Sequence, residues 1–203
     1  MAPSWGDEPP FAGECVNLLA RFFTTVIMPA KKRETDSFFL RIGAHHGTGN
    51  GYTEVSYDLG AYVDALGKSV LRIHNVEVAY QQNAEPARGP LASASGGDLN
   101  VQYQLTTKTQ SEAVLMSDPS VIAMGRLFTG KDSGGQLIYM DEQANINPTD
   151  FTNGYLVAVD EIFLGVDTVE DANAAFTTSI ILECTVESLD ERAAMALALS
   201  QSS

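Results

Sequence analysis

Residues 99–105 read LNVQYQL, and apolar and polar side chains alternate through the whole stretch. The same period of two recurs in residues 55–63 (VSYDLGAYV) and in residues 180–186 (IILECTV). Successive side chains of a β-strand point to opposite faces, so this period places one apolar set on a single face of a sheet. The three segments therefore predict a half-buried antiparallel β protein.

Working outward from these segments, we find about eight strand candidates between residues 37 and 187, separated by turn signals. This spacing predicts an all-β fold, an antiparallel β-sandwich or jelly-roll barrel. The strand order does not follow from the sequence, so a jelly roll, an immunoglobulin-like sandwich and a closed barrel all stay open. The glycine at position 60 predicts a bend inside the strand over residues 55–63.

The remaining segments give more specific expectations. The apolar phase slips near His74-Asn75, which predicts a β-bulge. Residues 155–166 are almost all apolar and predict one strand that is buried on both faces. The other expected elements are strands over residues 98–109, 121–128, 137–140 and 176–187, a turn over residues 129–135, and loops over residues 83–97 and 143–152.

Both ends of the chain extend beyond this β domain. We predict an N-terminal arm over residues 1–36, a β domain over residues 37–187 and a C-terminal helix over residues 188–203. Ser188 and Glu191 have the spacing of a capping box, with the serine as N-cap. The N-terminus lacks the basic region of a secretory signal. The apolar stretch over residues 15–28 is interrupted by polar residues and is shorter than the roughly 20 residues of a membrane-spanning helix.

The chain is strongly acidic, with 26 Asp and Glu against 12 Lys and Arg and a net charge of -14. Affinity for nucleic acid comes largely from neutralising phosphates, so this balance argues against a specific nucleic-acid partner. It suits a salt-rich setting, because dissolved ions shorten the range of self-repulsion. A halophilic source is therefore a hypothesis. The one basic run, residues 31–33, is too short to change this interpretation.

No motif in the sequence supports catalysis. Residues 125–132, GRLFTGKD, have phosphate-loop spacing as far as the lysine, but Asp132 replaces the Ser or Thr that the motif requires. Neither Cys15 nor Cys184 lies near a histidine in sequence, and the alternation places Cys184 on an apolar strand face. We therefore nominate no catalytic and no cofactor-binding residue, and we predict that the protein is not an enzyme.

Two sets of residues raise the question of a bound metal. The adjacent His45 and His46 would point to opposite faces of a strand, and His74 could join them only through the fold. The stretch over residues 141–150 is rich in oxygen ligands of the kind that calcium favours: Asp141, Glu142, Asn145, Asn147 and Asp150. It lacks the glycine of an EF-hand loop. We nominate no metal ligand, and whether an ion binds this stretch stays open.

The strand pattern, the appended termini and the acidic surface with only five lysines together resemble the single-jelly-roll major capsid proteins of icosahedral viruses. That family includes the internal-membrane viruses of haloarchaea and thermophilic bacteria. The resemblance implies a structural virion protein that self-assembles through barrel contacts and terminal arms. It further implies a homo-oligomer, a second capsid protein as partner and contact with an internal membrane. In the C-terminal helix we expect Leu197 and Leu199 to be packing groups.

Three other functions stay open at this stage, and one of them is another virion or surface-layer component with the same β-rich, acidic character. A β-sandwich that binds carbohydrate or another surface ligand would need exposed aromatic side chains, and the single tryptophan, Trp5, lies in the predicted arm instead. A cupin-like metalloenzyme would use histidine ligands, which here could only be His45, His46 and His74.

Overall fold

A computed structural model of the chain describes residues 35–64, 68–84, 91–131 and 136–202. All of them belong to one compact unit, Lys32–Ser203. The described part contains nine strands and one α-helix. The predicted arm, residues 1–36, lies almost entirely outside the described residues, and the division into arm, β domain and helix stays a prediction.

The strands form two antiparallel sheets, with bounds β1 Phe38–His46, β2 Gly51–Asp58, β3 Ser69–Gln82, β4 Leu99–Thr106, β5 Val121–Lys131, β6 Leu137–Ile146, β7 Tyr155–Val157, β8 Glu161–Thr168 and β9 Phe176–Ser188. A 3-10 turn, Pro148–Asp150, follows β6, and the helix α1 spans Glu191–Ser202. The strand orders are β1-β9-β3-β7 in the first sheet and β2-β8-β4-β5-β6 in the second.

This order is that of a jelly roll. The first strand pairs with the last, β2 pairs with β8, β3 with β7, and β4 with β5. The chain is thus one long antiparallel hairpin rolled up into two facing sheets, with β6 added at the edge of the second sheet. The topology decides between the three arrangements that the sequence left open, and it confirms the predicted all-β class.

The space between the sheets is filled with apolar side chains. The largest of those that are almost completely buried include Tyr103, Phe176, Leu105, Leu164 and Ile180. They come from strands of both sheets, as the period of two predicts. Burial of this continuous core is the main favourable term in folding.

The predicted bulge near His74 is confirmed, because the pairing register of β3 with β9 shifts between Ile73 and Asn75. The strands predicted over residues 98–109 and 176–187 are also present, as β4 and β9, although β4 ends at Thr106. In the described residues, no helix combines the length and the apolar character needed to cross a membrane.

Other predicted boundaries were wrong. The strand predicted over residues 55–63 ends at Asp58, and a turn follows in which the amides of Tyr62 and Val63 both donate to the carbonyl of Leu59. Leu59 and Val63 are buried by this turn, so they continue the apolar pattern without continuing the strand.

The single strand predicted over residues 155–166 is two strands in different sheets. β7 pairs with β3 in the first sheet, and β8 pairs with β2 and β4 in the second. The chain crosses between the sheets at residues 158–160. Residues 155–166 form a nearly continuous apolar run because the strands on both sides of that crossing are buried.

The hairpin β5–β6 is longer than predicted. Residues 129–131 belong to β5 and residues 143–146 belong to β6, although we expected a turn and a polar loop there. Residues 143–146 lie in the edge strand β6, where polar residues carry little of the alternation on which the prediction rested.

Candidate assembly surfaces

The helix α1 packs on the outer face of the first sheet, at the end where β3 begins. Ala194 of the helix forms a small buried cluster with Val70 and Ala158, against which Leu197 also packs. Ala194 and Ala198 are small, so the helix approaches the sheet closely. Leu197 is thus a packing group, as expected, whereas Leu199 is 63% exposed.

The N-cap of the helix is Asp190, not Ser188 as predicted. The Asp190 Oδ1 accepts a hydrogen bond of 2.9 Å from the Ala193 amide, which is the contact of an N-cap side chain. Ser188 is still paired with Ser69 as the last residue of β9. The strand therefore continues too far for the predicted capping box to form.

Gln201 fixes the other end of the helix and is 4% exposed. Its Oε1 accepts a hydrogen bond of 2.8 Å from the Ala158 amide, and its Nε2 donates one of 2.6 Å to the Leu156 carbonyl. Its own carbonyl accepts a hydrogen bond of 3.1 Å from the Thr107 hydroxyl. The C-terminal turn is thereby tied to β7, to the crossing segment and to the residue after β4.

A buried ion pair lies on the same sheet face. The Arg72 guanidinium donates through Nε and Nη2 to the two carboxylate oxygens of Glu187, and through Nη1 to the Asn153 carbonyl. The two side chains are only 11% and 2% exposed. Two parallel hydrogen bonds of this kind fix the relative orientation of neighbouring strands.

An open cleft of about 490 Å³ runs between α1 and the turn after β2. Its lining is mainly apolar and includes Val63, Val159, Met195 and Leu199. Met195 and Leu199 are one helical turn apart and are 43% and 63% exposed. The helix thus presents an apolar ridge to solvent beside this cleft, and contiguous exposed apolar surface is typical of interaction sites.

The rest of the outer face of the first sheet carries a mixture of charged, apolar and small side chains. Arg41 of β1 and Glu77 of β3 are exposed and stand on either side of Ile181 of β9, which is 38% exposed. Phe39 is the preceding residue of β1 on the same face, two positions before Arg41, and it is 55% exposed. This face is not covered by α1, which lies over Val70 at the far end of β3.

The outer face of the second sheet is closed by a polar network. The Tyr52 hydroxyl donates to Glu54 at 2.9 Å and accepts from Gln104 Nε2 at 3.0 Å. Glu54 also accepts from the Thr109 hydroxyl at 2.6 Å and from the Gln110 amide at 2.9 Å. Burial is the main cause that raises the pKa of the Tyr52 hydroxyl, which keeps it protonated. The network holds residues 107–114 against the sheet.

The three histidines are not brought together. His46 is buried, and its two ring nitrogens contact the carbonyls of Gly47 and Gly51 at 3.0 and 2.9 Å. His45 lies on the opposite, exposed face and contacts Asn83 at 2.9 Å, whereas His74 contacts Thr185 at 3.0 Å. In the described ranges, no three His, Cys, Asp or Glu side chains cluster as a metal site would require.

The acidic stretch is split between two elements. Asp141, Glu142 and Asn145 belong to β6, and their side chains lie outside what the structure describes. Asn147 and Asp150 form the capping box of the 3-10 turn, and Asn147 Nδ2 also donates to the Val76 carbonyl at 2.9 Å. These two polar groups therefore have structural partners.

Residues 125–131 of the phosphate-loop-like stretch lie in β5, a strand paired on both sides, and not in a loop that opens a helix. The turn predicted over residues 129–135 was also wrong in part, because residues 129–131 continue the strand.

Cys184 is buried in the core, as its place on the apolar face predicted. Its thiol is free, whereas the sequence had left a single disulfide bridge open. Burial raises the pKa of this thiol to about 12, so it is protonated at neutral pH and is not a nucleophile. Cys15 lies outside the described residues.

Three residues that shape these surfaces were not foreseen from the sequence: Arg72, Glu187 and Gln201. Each looks like an ordinary polar residue of a strand or a helix end. The sequence offered one indication, because Glu187 is a carboxylate at the end of a strand in which apolar and polar residues alternate. Its partner Arg72, however, lies 115 positions earlier.

Comparisons with known proteins add little to this description. No protein-family model matches the chain, and no curated protein matches it. A solved structure titled Desmodium yellow mottle tymovirus is similar at 9% identity and a TM-score of 0.32, covering 92% of this chain and 94% of that chain. Similarity at this level carries no information about function.

Proposed function

We propose that this chain is a capsid shell subunit, a structural protein of a virion that acts by self-assembly and not by catalysis. The observation that carries the proposal is the strand order of a jelly roll. That topology is shared by viral capsid proteins, lectins and cupins, so the surfaces and the interior must decide between these functions.

The interior of the barrel favours a structural function over a cupin-like enzyme. Cupin-like catalysis would need ligands that project into the barrel, where this chain has packed apolar side chains such as Ile42, Leu105, Leu164 and Leu182. Both ring nitrogens of His46, the buried histidine, lie within 3.0 Å of backbone carbonyls, and the ring stacks on Phe176.

The exterior supports assembly. Several large apolar side chains are at least 38% exposed and come from different parts of the fold: Phe39, Leu115, Met116, Ile138, Phe151, Val169, Ile181, Met195 and Leu199. Symmetric shells need more than one contact patch on each subunit, because every subunit has several neighbours. Exposed apolar groups on both sheets and on α1 meet that need.

The finer features of the proposal rest on the sequence. The acidic composition favours a salt-rich setting and hence the haloarchaeal type of virus. A second capsid protein, contact with an internal membrane and a virion location follow only from the sequence resemblance.

Electron microscopy of the purified full chain tests the proposal. Samples equilibrated at low and at multimolar salt are sedimented through gradients, and the fast fractions are imaged. We expect rings or closed shells, formed preferentially at high salt because the charge of -14 is then screened. The variant L199S, altered at the exposed ridge of α1, is compared with A196S, a small change at an exposed position of the same helix outside the cleft lining. Absence of ordered particles at every salt concentration would contradict the shell function.

A further inference from the structure

On the outer face of β1, β9 and β3, a positive and a negative side chain lie on opposite sides of an apolar one. Arg41 and Glu77 are both paired in register with Ile181, one from each neighbouring strand. We call these three residues the charged row. Strands in a sheet are about 4.8 Å apart, so the cation and the anion stand on opposite sides of an apolar centre with about 10 Å between their backbones.

A twofold axis parallel to β9 makes this row complementary to itself. Such a rotation exchanges the two sides of the sheet face and keeps the position along the strands. It therefore places Glu77 of a second copy opposite Arg41, Arg41 of that copy opposite Glu77, and Ile181 against its own equivalent. A twofold axis across the strands would instead oppose Arg41 to Arg41, which is unfavourable.

The neighbouring positions allow two such faces to approach each other. The next row towards the start of β9 consists of Gly43, Ser179 and Ala79, which are small. Facing sheets pack about 10 Å apart, and the small side chains beside the charged row permit this distance. Helix α1 lies at the Val70 end of β3 and leaves the charged row uncovered.

We propose that the outer face of β1, β9 and β3 is an interface with a second copy of this chain, formed around the charged row. This deepens the proposed shell function, on which it rests, by naming one contact between subunits. The axis also brings Glu183 near its own equivalent, since Glu183 is the next outward residue of β9. Salt weakens this repulsion and the repulsion that comes from the net charge of -14, but it also weakens the attraction between Arg41 and Glu77 across the interface.

Charge reversal on the full chain tests the interface. In R41E the row carries two anions, and in E77R it carries two cations, so each variant opposes like charges across the axis. Like charges that face each other across an interface oppose association, so we expect each dimer to weaken roughly a hundredfold. The measurement is made at the lowest salt concentration at which the unaltered chain still pairs.

Mixing the two variants is the decisive arm of the experiment. The anion introduced by R41E in one copy then faces the cation introduced by E77R in the other, and the unaltered Glu77 of the first copy faces the unaltered Arg41 of the second. An equimolar mixture should therefore form heterodimers where neither variant pairs alone. A defect in folding would not be repaired by mixing. The controls R126E and E161R make the same changes in charge at exposed positions of the second sheet and should pair like the unaltered chain.

The outcomes separate this inference from the shell function. Shells that form equally well with R41E and E77R would overturn the interface and leave the shell function intact. Dimers that depend on the charged row, without any larger particle, would support the interface and contradict the shell function. A chain that is monomeric at every salt concentration would overturn both.

Discussion

Replacing Gly165 by alanine should be strongly destabilising, because the Tyr52 ring lies across this glycine. A Cβ atom at position 165 would stand 2.1 Å from the Tyr52 Oη and 2.6 Å from its Cζ. Gly165 is paired with Glu54 of β2 and Gln104 of β4, so the ring cannot move without disturbing the polar network on this sheet face.

The size of the effect follows from two contributions. Overpacking typically costs roughly 1–3 kcal/mol, and moving the ring weakens the hydrogen bonds of Tyr52 to Glu54 and Gln104, each contributing about 1 kcal/mol. We therefore expect G165A to lower the free energy of unfolding by about 3 kcal/mol or more. The control is G49A, at a loop glycine whose added Cβ would have no heavy atom within 4 Å. It should change the free energy of unfolding by about 0.5 kcal/mol or less.

Urea denaturation followed by far-ultraviolet circular dichroism measures these changes, and a double-mutant cycle identifies their cause. In the Y52S background the ring is absent, so G165A should cost less than about 1 kcal/mol. If G165A were equally destabilising with and without the Tyr52 ring, the assigned register of β2 on β8 would be wrong.

Three further predictions concern the buried polar groups. R72M should cost about 3–5 kcal/mol by leaving Glu187 buried without its guanidinium, and R72M/E187L should recover most of that loss in urea denaturation. Q201L should cost about 2 kcal/mol and increase hydrogen exchange in the last turns of α1, because two buried backbone groups lose their partner; unchanged exchange there would contradict the proposed role of Gln201. In a C15S variant, Cys184 should react with a thiol reagent only on unfolding. Because burial raises its pKa from 9.0 to about 12, the folded state holds the proton more tightly. The free energy of unfolding should therefore be independent of this group below pH 9 and should fall as the pH rises towards 12. In C184A, the part of this decrease that is due to Cys184 should be absent.

The sequence predicted the elements whose side chains alternate and whose two faces differ in burial. β4 and β9 fulfil both conditions, and the bulge at His74 was visible because an extra residue shifts the apolar phase. The boundary at Asp58 was missed because Leu59 and Val63 are buried by a turn, and burial alone does not distinguish a turn from a strand. The predicted length of β6 was too short because an edge strand is held by backbone hydrogen bonds, which side-chain patterns do not reveal.

The candidate surfaces were harder to predict than the fold. The charged row joins residues from three strands that are far apart in sequence, and its complementarity depends on the register of β9 with both neighbours. Arg41 and Ile181 are visible in the sequence as outward residues of their strands, but only the strand order places Glu77 beside them. The same dependence on strand order explains why the partners of Glu187 and Gln201 were not foreseen.

The mass of the full chain in solution tests the central claim most directly. Multi-angle light scattering is measured on chromatographic fractions at low and at multimolar salt, against a monomer mass of 21.8 kDa. The shell function predicts assemblies of many subunits whose share increases with salt. A mass that stays at that of the monomer across the whole salt range would contradict it.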